Sequence, residues 1–244
     1  MVRARGRPTI FTDGSLRTPV GLDANRLSGD YALYDDGWQA TLTLRAAETG
    51  GLDAGFYAHD RTRGRFAATA ELDGSRLRLA VRDFNELPEQ VYEGYVFRRG
   101  RVAIAGVTSW KGQSFSFFAV RQPPYSLGPL RPERVAAADF LGVYGLYCDG
   151  EHATLTLSTA SEATLSGSLR EDGADRDHPV DAVIDRSLPY RMELTVRGLA
   201  GNEPPVLTLL MFPQRRTAMA GWLDWAGTRL GCYLVRYAGG DSGR

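Results

Sequence analysis

Carboxylate and indole side chains stand beside several turns of this sequence, where together they could bind a small molecule. Asp35 and Trp38 flank the turn in "DDGW", and Trp110 begins the turn in "WKGQ". Aromatic faces bind apolar groups, and a few polar groups fix the orientation of a ligand. The candidate ligand-binding residues are Asp35, Trp38, Asp83, Trp110, Glu151 and Trp225.

Several of these positions also have a plainer interpretation. Asp35 and Asp36 could simply form an Asp-Gly hairpin turn, and His59 could cap a loop. We favour that interpretation for Asp36 and His59. For Asp35 both interpretations stay open, because a second, similar stretch of the chain has Cys148 at the corresponding place. His178, in the charged segment "DRDHP", is expected to be solvated.

The segment "CDGEH" invites a metal-site hypothesis that strand geometry weakens. If Leu155 faces inward, alternation along a strand sends Glu151 inward and His152 outward. A structural zinc site needs four converging ligands, and this segment does not gather them. We therefore expect neither a metal nor another cofactor. The sequence has no nucleophile elbow, phosphate-binding glycine loop or zinc-protease motif, so enzymatic activity stays an open question.

Composition describes an ordinary globular chain. It has 244 residues, 43% of them hydrophobic, and its 29 basic and 29 acidic residues cancel. Such a chain has no net field that attracts nucleic acid or an anionic membrane, so we expect neither partner. The N-terminal segment lacks the apolar stretch of a secretory signal, which favours a cytoplasmic location. Cysteines in that compartment are expected to be reduced thiols.

The chain repeats itself. "ALYDDGWQATLTL" (32–44) returns as "GLYCDGEHATLTL" (145–157), at an offset of 113 (145 minus 32). "AIAGVTSWKGQSFSFFAVR" (103–121) matches "AMAGWLDWAGTRLGCYLVR" (218–236), at an offset of 115 (218 minus 103). We therefore predict two similar domains, 13–122 and 126–237, with the second copy two residues longer.

Within each copy apolar residues occupy every second position and the segments end at turn-forming residues, which is typical of β-strands. The class is all-β, and eight short strands per copy favour two tandem antiparallel up-and-down β-barrels. A β-sandwich is the main alternative. Each barrel should begin with a short coil or a single helical turn at its closed end. The predicted strands are 29–35, 38–46, 52–58, 65–72, 76–83, 91–98, 101–109 and 114–121, then 142–148, 151–159, 163–170, 178–185, 190–197, 205–212, 216–224 and 229–236.

A few residues resemble the signature of lipocalin-like and avidin-like barrels, the calycin type. Gly-x-Tyr begins the first strand of each copy, and an arginine ends the last strand, as Arg121 and Arg236. The resemblance implies that this arginine packs on Tyr31 or Tyr144 and plugs the closed end of the barrel. It implies no particular ligand.

That arrangement of arginine and tyrosine sets a register for closing the second barrel. If Arg236 lies opposite Tyr144, antiparallel partners have numbers that sum to 380 (236 plus 144). The two cysteines, Cys148 and Cys232, obey the same sum. We therefore expect them to be inward-facing neighbours, present as free thiols. In the first copy the same register places Asp35 opposite Phe117.

The candidate residues then lie at the open end of each barrel, away from the plug. The first function hypothesis is a non-enzymatic protein that binds a small apolar or aromatic ligand, or a protein partner. The second is a cyclase or isomerase that folds its substrate in a barrel, with Asp35, Asp83 or Glu151 as acid or base. The third is a structural scaffold. Whether either barrel is hollow stays open at this point.

Overall fold

Apolar and polar residues alternate in the sixteen strands of the described part of the chain. The computed structural model describes residues 22–36, 38–48, 50–59, 64–82, 89–100, 102–121, 125, 130–131, 134–199 and 203–237, without the side chains of 159 and 160. The first eight strands are β1 (Gly29–Asp35), β2 (Trp38–Ala46), β3 (Leu52–Ala58), β4 (Gly64–Asp73), β5 (Arg76–Arg82), β6 (Gln90–Val96), β7 (Ala103–Trp110) and β8 (Gln113–Val120). The other eight are β9 (Gly142–Cys148), β10 (Glu151–Ala160), β11 (Thr164–Glu171), β12 (His178–Ile184), β13 (Arg191–Val196), β14 (Val206–Met211), β15 (Ala218–Trp225) and β16 (Thr228–Arg236).

These strands form two closed antiparallel barrels. Strands β1 to β8 pair in chain order and β8 returns to β1, and strands β9 to β16 do the same. The all-β prediction of two tandem up-and-down barrels is confirmed, and the sandwich alternative is wrong. The predicted domain bounds fall partly on residues 13–21 and 126–129, outside the described residues, so they stay a prediction.

One strand end was predicted too late for a reason the local pattern could not reveal. Strand β6 ends at Val96 and not at residue 98. The backbone N–H of Arg98 leaves the barrel ladder and donates to Oδ1 of Asp149 in the other barrel, at 2.6 Å. Arg98 thus takes part in a contact between the two copies and does not continue the ladder of β6.

The closing ladder of the second barrel has the expected register. Arg236 lies opposite Tyr144 and Cys232 opposite Cys148, and in the first barrel Asp35 lies opposite Phe117. The expectation of free thiols is wrong, because Cys148 and Cys232 form a disulfide. Their Cα atoms are 4.3 Å apart. This is close to the spacing of a non-hydrogen-bonded antiparallel pair, which brings two inward side chains together.

A tyrosine, an arginine and one turn of helix close the bottom of the first barrel. Helix α1 (Ala24–Leu27) precedes β1, and the hydroxyl of Tyr31 donates to the carbonyl of Leu27 at 2.6 Å. The guanidinium of Arg121 lies 5.1 Å from the centre of the Tyr31 ring. It also donates to the carbonyl of Ser28 at 2.8 Å. The arginine thus stacks on an aromatic face while its donors cap the helix.

The second barrel repeats this plug. A 3₁₀ turn (Ala137–Phe140) precedes β9, and the Tyr144 hydroxyl donates to the carbonyl of Phe140 at 3.0 Å. Arg236 lies 5.1 Å from the centre of the Tyr144 ring and donates to the carbonyl of Asp139. The predicted arginine–tyrosine contact is confirmed in both barrels.

The two barrels pack through equivalent outer faces. Phe118 and Tyr233, which differ by the repeat offset of 115 (233 minus 118), stack on each other with ring centres 4.7 Å apart and planes 9° apart. Tyr34 stacks on Phe118 at 4.8 Å, and Tyr147 stacks on Tyr233 at 4.8 Å. This matching of contacts describes a pseudo-twofold axis that passes between Phe118 and Tyr233.

A second pair of contacts obeys the same symmetry. Phe212 stacks on Phe118 at 5.7 Å, and its counterpart Phe97 stacks on Tyr233 at 5.9 Å. The interface core consists of buried residues from both copies: Tyr34, Phe97, Ala103, Ala105, Phe118, Val120, Phe212, Ala218, Ala220 and Tyr233. Outward positions that would face water in an isolated barrel are therefore apolar because the other barrel covers them.

Two equivalent aspartates bind the other barrel at the edges of this interface, one through an ion pair and one through a neutral hydrogen bond. Asp36 and Asp149 have positive φ angles of 43° and 46°, as an Asp-Gly hairpin turn requires. Asp149 is buried and accepts from the guanidinium of Arg98 at 3.0 and 3.1 Å. Asp36 instead accepts from the neutral amide of Gln214 at 3.2 Å. Burial raises the pKa of Asp36 to about 6, although hydrogen bonds from Gln214 oppose the shift.

Replacing Arg236 with alanine should destabilise the protein, because Arg236 supports the closed end of the second barrel. The change removes the aromatic contact and leaves helix-end carbonyls without donors, which should lower the free energy of unfolding by about 2–3 kcal/mol. Urea denaturation measures the effect. Arg170→Ala, on an exposed arginine, is the control and should shift the midpoint little. An equal shift of the urea midpoint in both variants, or no shift in Arg236→Ala, would contradict the structural role of Arg236.

The disulfide should be detectable in protein purified without reductant. Non-reducing peptide mapping should yield one linked pair containing Cys148 and Cys232, and Cys148→Ser should lower the free energy of unfolding by about 2–4 kcal/mol. Quantitative alkylation of both cysteines in unfolded, unreduced protein would show that the bond is absent.

Candidate functional site

Asp35 occupies the open end of the first barrel. It is the last residue of β1, directly opposite Trp38 on β2 and Phe117 on β8. Its side chain shares the inward face of β1 with Tyr31 and Leu33, because successive residues of a strand point to opposite faces. The carboxyl group is therefore held inside the barrel wall by three neighbouring strands.

A polar cluster holds one oxygen of this carboxyl group. Oδ2 of Asp35 accepts from the amide of Gln90 at 2.7 Å and from the hydroxyl of Tyr92 at 3.1 Å. The Gln90 amide also donates to the hydroxyl of Thr108 at 3.2 Å, and Thr108 donates to the carbonyl of Val91 at 3.0 Å. Side chains from β6 and β7 thus fix the position of Asp35.

The other oxygen, Oδ1, is buried and has no hydrogen-bond partner among the described residues. Only 8% of Asp35 is exposed. Burial raises the pKa of Asp35 to about 7, the nearby charge of Asp36 adds to the shift, and hydrogen bonds from Tyr92 and Gln90 oppose it. Burial also raises the pKa of Tyr92 well above its usual value. An acceptor without a donor in such a place can receive one from a ligand.

Aromatic side chains line the barrel beside this carboxyl group. The Tyr92 ring meets the Phe117 ring edge to face at 5.1 Å and the Phe56 ring at 6.0 Å. Phe56 in turn meets Phe66 at 6.3 Å. The inner surface next to Asp35 is therefore aromatic on at least two sides.

The inward face of β3 and β4 is only partly buried. Ala54 and Ala58 on β3 and Ala68 and Ala70 on β4 pack against the core yet stay partly exposed. These small side chains make this wall less completely buried than the rest of the inner surface.

The corresponding interior of the second barrel is mainly apolar, although Glu171 and His178 also lie at buried, inward positions near its open end. Counterparts of Asp35, Tyr92 and Thr108 are Cys148, Leu207 and Leu223, at offsets of 113 (148 minus 35) and 115 (207 minus 92 and 223 minus 108). All three counterparts belong to one buried core cluster. The inward residues of β12, including His178, are buried as well, so the expectation that His178 is solvated is wrong. The two barrels share a backbone but differ in what their interiors contain.

The structure divides the predicted site residues between the barrels. Asp35, Trp38 and Trp110 lie on inward positions at the open end of the first barrel. Glu151 and Trp225 lie at the open end of the second, where Glu151 faces Cys148 and Trp225 packs against the core. Asp83 lies outside the described residues. These residues therefore do not form one site, and their role in ligand binding stays a prediction.

Other expectations about polar residues can be compared with their contacts. Nε2 of His59 lies 2.8 Å from the hydroxyl oxygen of Thr41, on the outer surface of the first barrel. His152 points outward, as strand alternation predicts, and its Nδ1 lies 2.7 Å from the carboxylate of Asp172. Among the described residues, no three His, Cys, Asp or Glu side chains converge in a way that could hold a metal ion.

Gln90, Tyr92 and Thr108 escaped the sequence analysis, although a signal for them was present. Tyr92 and Thr108 occupy inward positions that are leucine in the second copy. An inward position that is polar in one copy and apolar in the other is not explained by packing of the core alone. Comparing the two copies position by position would have found both residues.

Comparisons with known proteins add little to this description. No family model matches the chain, and no curated protein matches it significantly. A solved structure from Bacteroides fragilis NCTC 9343, provisionally called an outer membrane protein, is 10% identical, with 88% of this chain and 99% of that one covered and a TM-score of 0.26. A DUF3598-family protein with unknown function from Nostoc punctiforme PCC 73102 is 11% identical, with 86% and 94% covered and a TM-score of 0.26. Within the described ranges, neither helical segment has the length and apolar character to cross a membrane.

Replacing Asp35 with asparagine should remove a pH dependence of stability. A carboxyl group whose pKa rises from 3.8 to about 7 on folding binds more protons in the folded state, so stability falls as the pH rises between these values. From about pH 4 to about pH 8 the wild type should lose up to about 4 kcal/mol relative to Asp35→Asn. Urea denaturation across that range measures the difference.

The matched control is Asp30→Asn at the other end of β1. Asp30 is exposed, and its pKa is lowered, mainly by a hydrogen bond from Thr43. This variant still has Asp35, so it should lose stability between about pH 4 and about pH 8 as the wild type does. Parallel stability curves for the wild type and Asp35→Asn would contradict the raised pKa of the buried Asp35 carboxyl group.

Proposed function

We propose that the first barrel binds a small apolar or aromatic ligand at its open end, and that the second barrel is its structural partner. The observation that carries the proposal is the contrast between the interiors. The first copy has a hydrogen-bonded cluster of Asp35, Gln90 and Tyr92 beside a partly exposed wall. The second copy has apolar residues at the positions of Asp35 and Tyr92, in a mainly apolar core that also buries Glu171 and His178.

The contents of the first barrel suit a small ligand. An eight-stranded barrel is wide enough to hold its own side chains or one small molecule. Ala68 and Ala70 of the first barrel correspond through the strand pairing to Val180 and Ala182 of the second. Binding sites are mostly apolar with a few polar groups that orient the ligand, and Asp35 with its donors supplies such groups.

The distribution of apolar surface favours a small ligand over a protein partner. The large apolar outer face of each barrel already packs against the other barrel. Exposed large hydrophobic side chains in the described part of the chain are Tyr57, Leu130, Val183 and Tyr237, on separate elements. Scattered exposed residues are normal on a soluble surface and do not mark a docking patch.

Catalysis of the cyclase or isomerase type is the second candidate, and one observation favours it. A carboxyl group with a pKa of about 7 can donate or accept a proton near neutral pH, and Asp35 meets that requirement. In that case Asp35 would be the acid or base, and the aromatic wall would hold the substrate in a reactive shape.

The cytoplasmic location and the lack of nucleic-acid and membrane partners stay predictions.

Filling the partly exposed wall should abolish binding of a neutral aromatic probe. N-phenyl-1-naphthylamine fluoresces when it enters an apolar site, and the wild type should bind it saturably with one molecule per chain. Ala68→Phe places a large ring on the inward face of β4 and should weaken binding at least about tenfold, since the ring occupies the ligand's space.

Ala67→Phe is the matched control, because the neighbouring residue is exposed and points outward. It should leave the dissociation constant within about twofold. Equal loss in both folded variants, or no saturable binding by the wild type, would overturn the proposed function.

A further inference from the structure

The geometry of the Asp35 cluster points to a small organic cation as the ligand of the first barrel: an amine whose ammonium group donates to Oδ1 of Asp35. Its apolar body would lie against the aromatic and alanine-lined wall. The inference rests on the proposed function and names the chemical class that this site would select.

The first argument is the state of the carboxyl group. Oδ2 receives two hydrogen bonds, from Gln90 and Tyr92, whereas Oδ1 is buried without a donor among the described residues. Two donors on one oxygen favour the charged form and hold it in place. The structure therefore presents a fixed acceptor whose remaining oxygen needs a donor from outside the described protein groups.

The second argument is the charge around Asp35. The described side chains that face it from β2, β6, β7 and β8 are Trp38, Gln90, Tyr92, Thr108 and Phe117. Tyr92 is the titratable member of this set, and Asp36, the neighbouring acid, repels a second negative charge. None of these groups carries a positive charge. A buried carboxylate is costly unless a cation compensates it, so a cationic ligand gains more here than a neutral one.

The third argument is the aromatic surface next to the carboxyl group. Tyr92 contacts Asp35 through its hydroxyl, and its ring meets those of Phe56 and Phe117. Cations bind favourably to aromatic faces, and more so where water is excluded. An ammonium group at Oδ1 would lie near this surface, while an anionic ligand would be repelled by the Asp35 carboxylate.

Two probes of the same shape and different charge test the inference. 1-Naphthylmethylamine is a cation near neutral pH, and 1-naphthylmethanol is its neutral counterpart; each competes with N-phenyl-1-naphthylamine for the wild-type protein. At about pH 8 the inhibition constant of the amine should be at least about tenfold lower than that of the alcohol, because only the amine compensates the buried charge. Lowering the pH to about 6 protonates Asp35 and should weaken the amine about tenfold, with the alcohol changing less than about twofold.

Asp35→Asn should bring the two affinities within about twofold of each other. Asp36→Asn is the matched control: the adjacent carboxyl group bonds to Gln214 in the interface, and asparagine tolerates the positive φ angle there. It should keep the preference for the amine. Circular dichroism verifies that both variants are folded, and the pH profile of the wild type tests the same charge without any substitution.

The failures are distinguishable. If the dye itself does not bind to the wild type, the proposed function fails. If the dye and the alcohol bind but the amine has no advantage, or if the advantage survives Asp35→Asn, the barrel binds neutral ligands and the inference of a cation is wrong.

Discussion

The ladder between the first and last strand of each barrel determines most of what this protein can do. Closing β1 on β8, and β9 on β16, removes free sheet edges and sets which residues face each other across the seam. At one end of the seam the register brings an arginine over a tyrosine. At the other end it pairs Asp35 with Phe117, or Cys148 with Cys232. The outward residues of the same strands, such as Phe118 and Tyr233, form the contact between the barrels.

The two copies use the top of that seam in different ways. In the second barrel a disulfide closes it over an interior of leucine, methionine and valine side chains. In the first barrel a carboxyl group stands at the same place, supported by Gln90 and Tyr92 and adjoining alanines. A filled core favours stability because each buried apolar group adds free energy, whereas space and buried polarity reduce it. The second barrel thus stabilises the whole molecule, and the first barrel can have a less stable interior.

The sequence predicted the architecture closely because both signals for it are local. Period-two alternation predicts strands, and the repeat predicts two equivalent barrels. The Cys148–Cys232 pairing followed from the register suggested by Tyr144 and Arg236. The site was harder, because Gln90, Tyr92 and Thr108 come from strands separated from Asp35 by 55 or more residues. The bonding state of the cysteines depended on a Cα spacing of 4.3 Å that no pattern of residue types encodes.

The pseudo-twofold axis between the barrels has a consequence for how such a molecule can change over evolutionary time. In a symmetric homodimer every substitution appears twice, so a residue on the axis must suit both of its images. Joining the two halves in one chain removes that restriction. Ser116 donates to the carbonyl of Leu210 at 2.7 Å, whereas its image Gly231 has no side chain and lies close to the carbonyl of Tyr95. Asp149 meets a guanidinium, and Asp36 meets an amide. The two halves of a single chain can therefore differ, and here they do so at Asp35 in one barrel and Cys148 in the other.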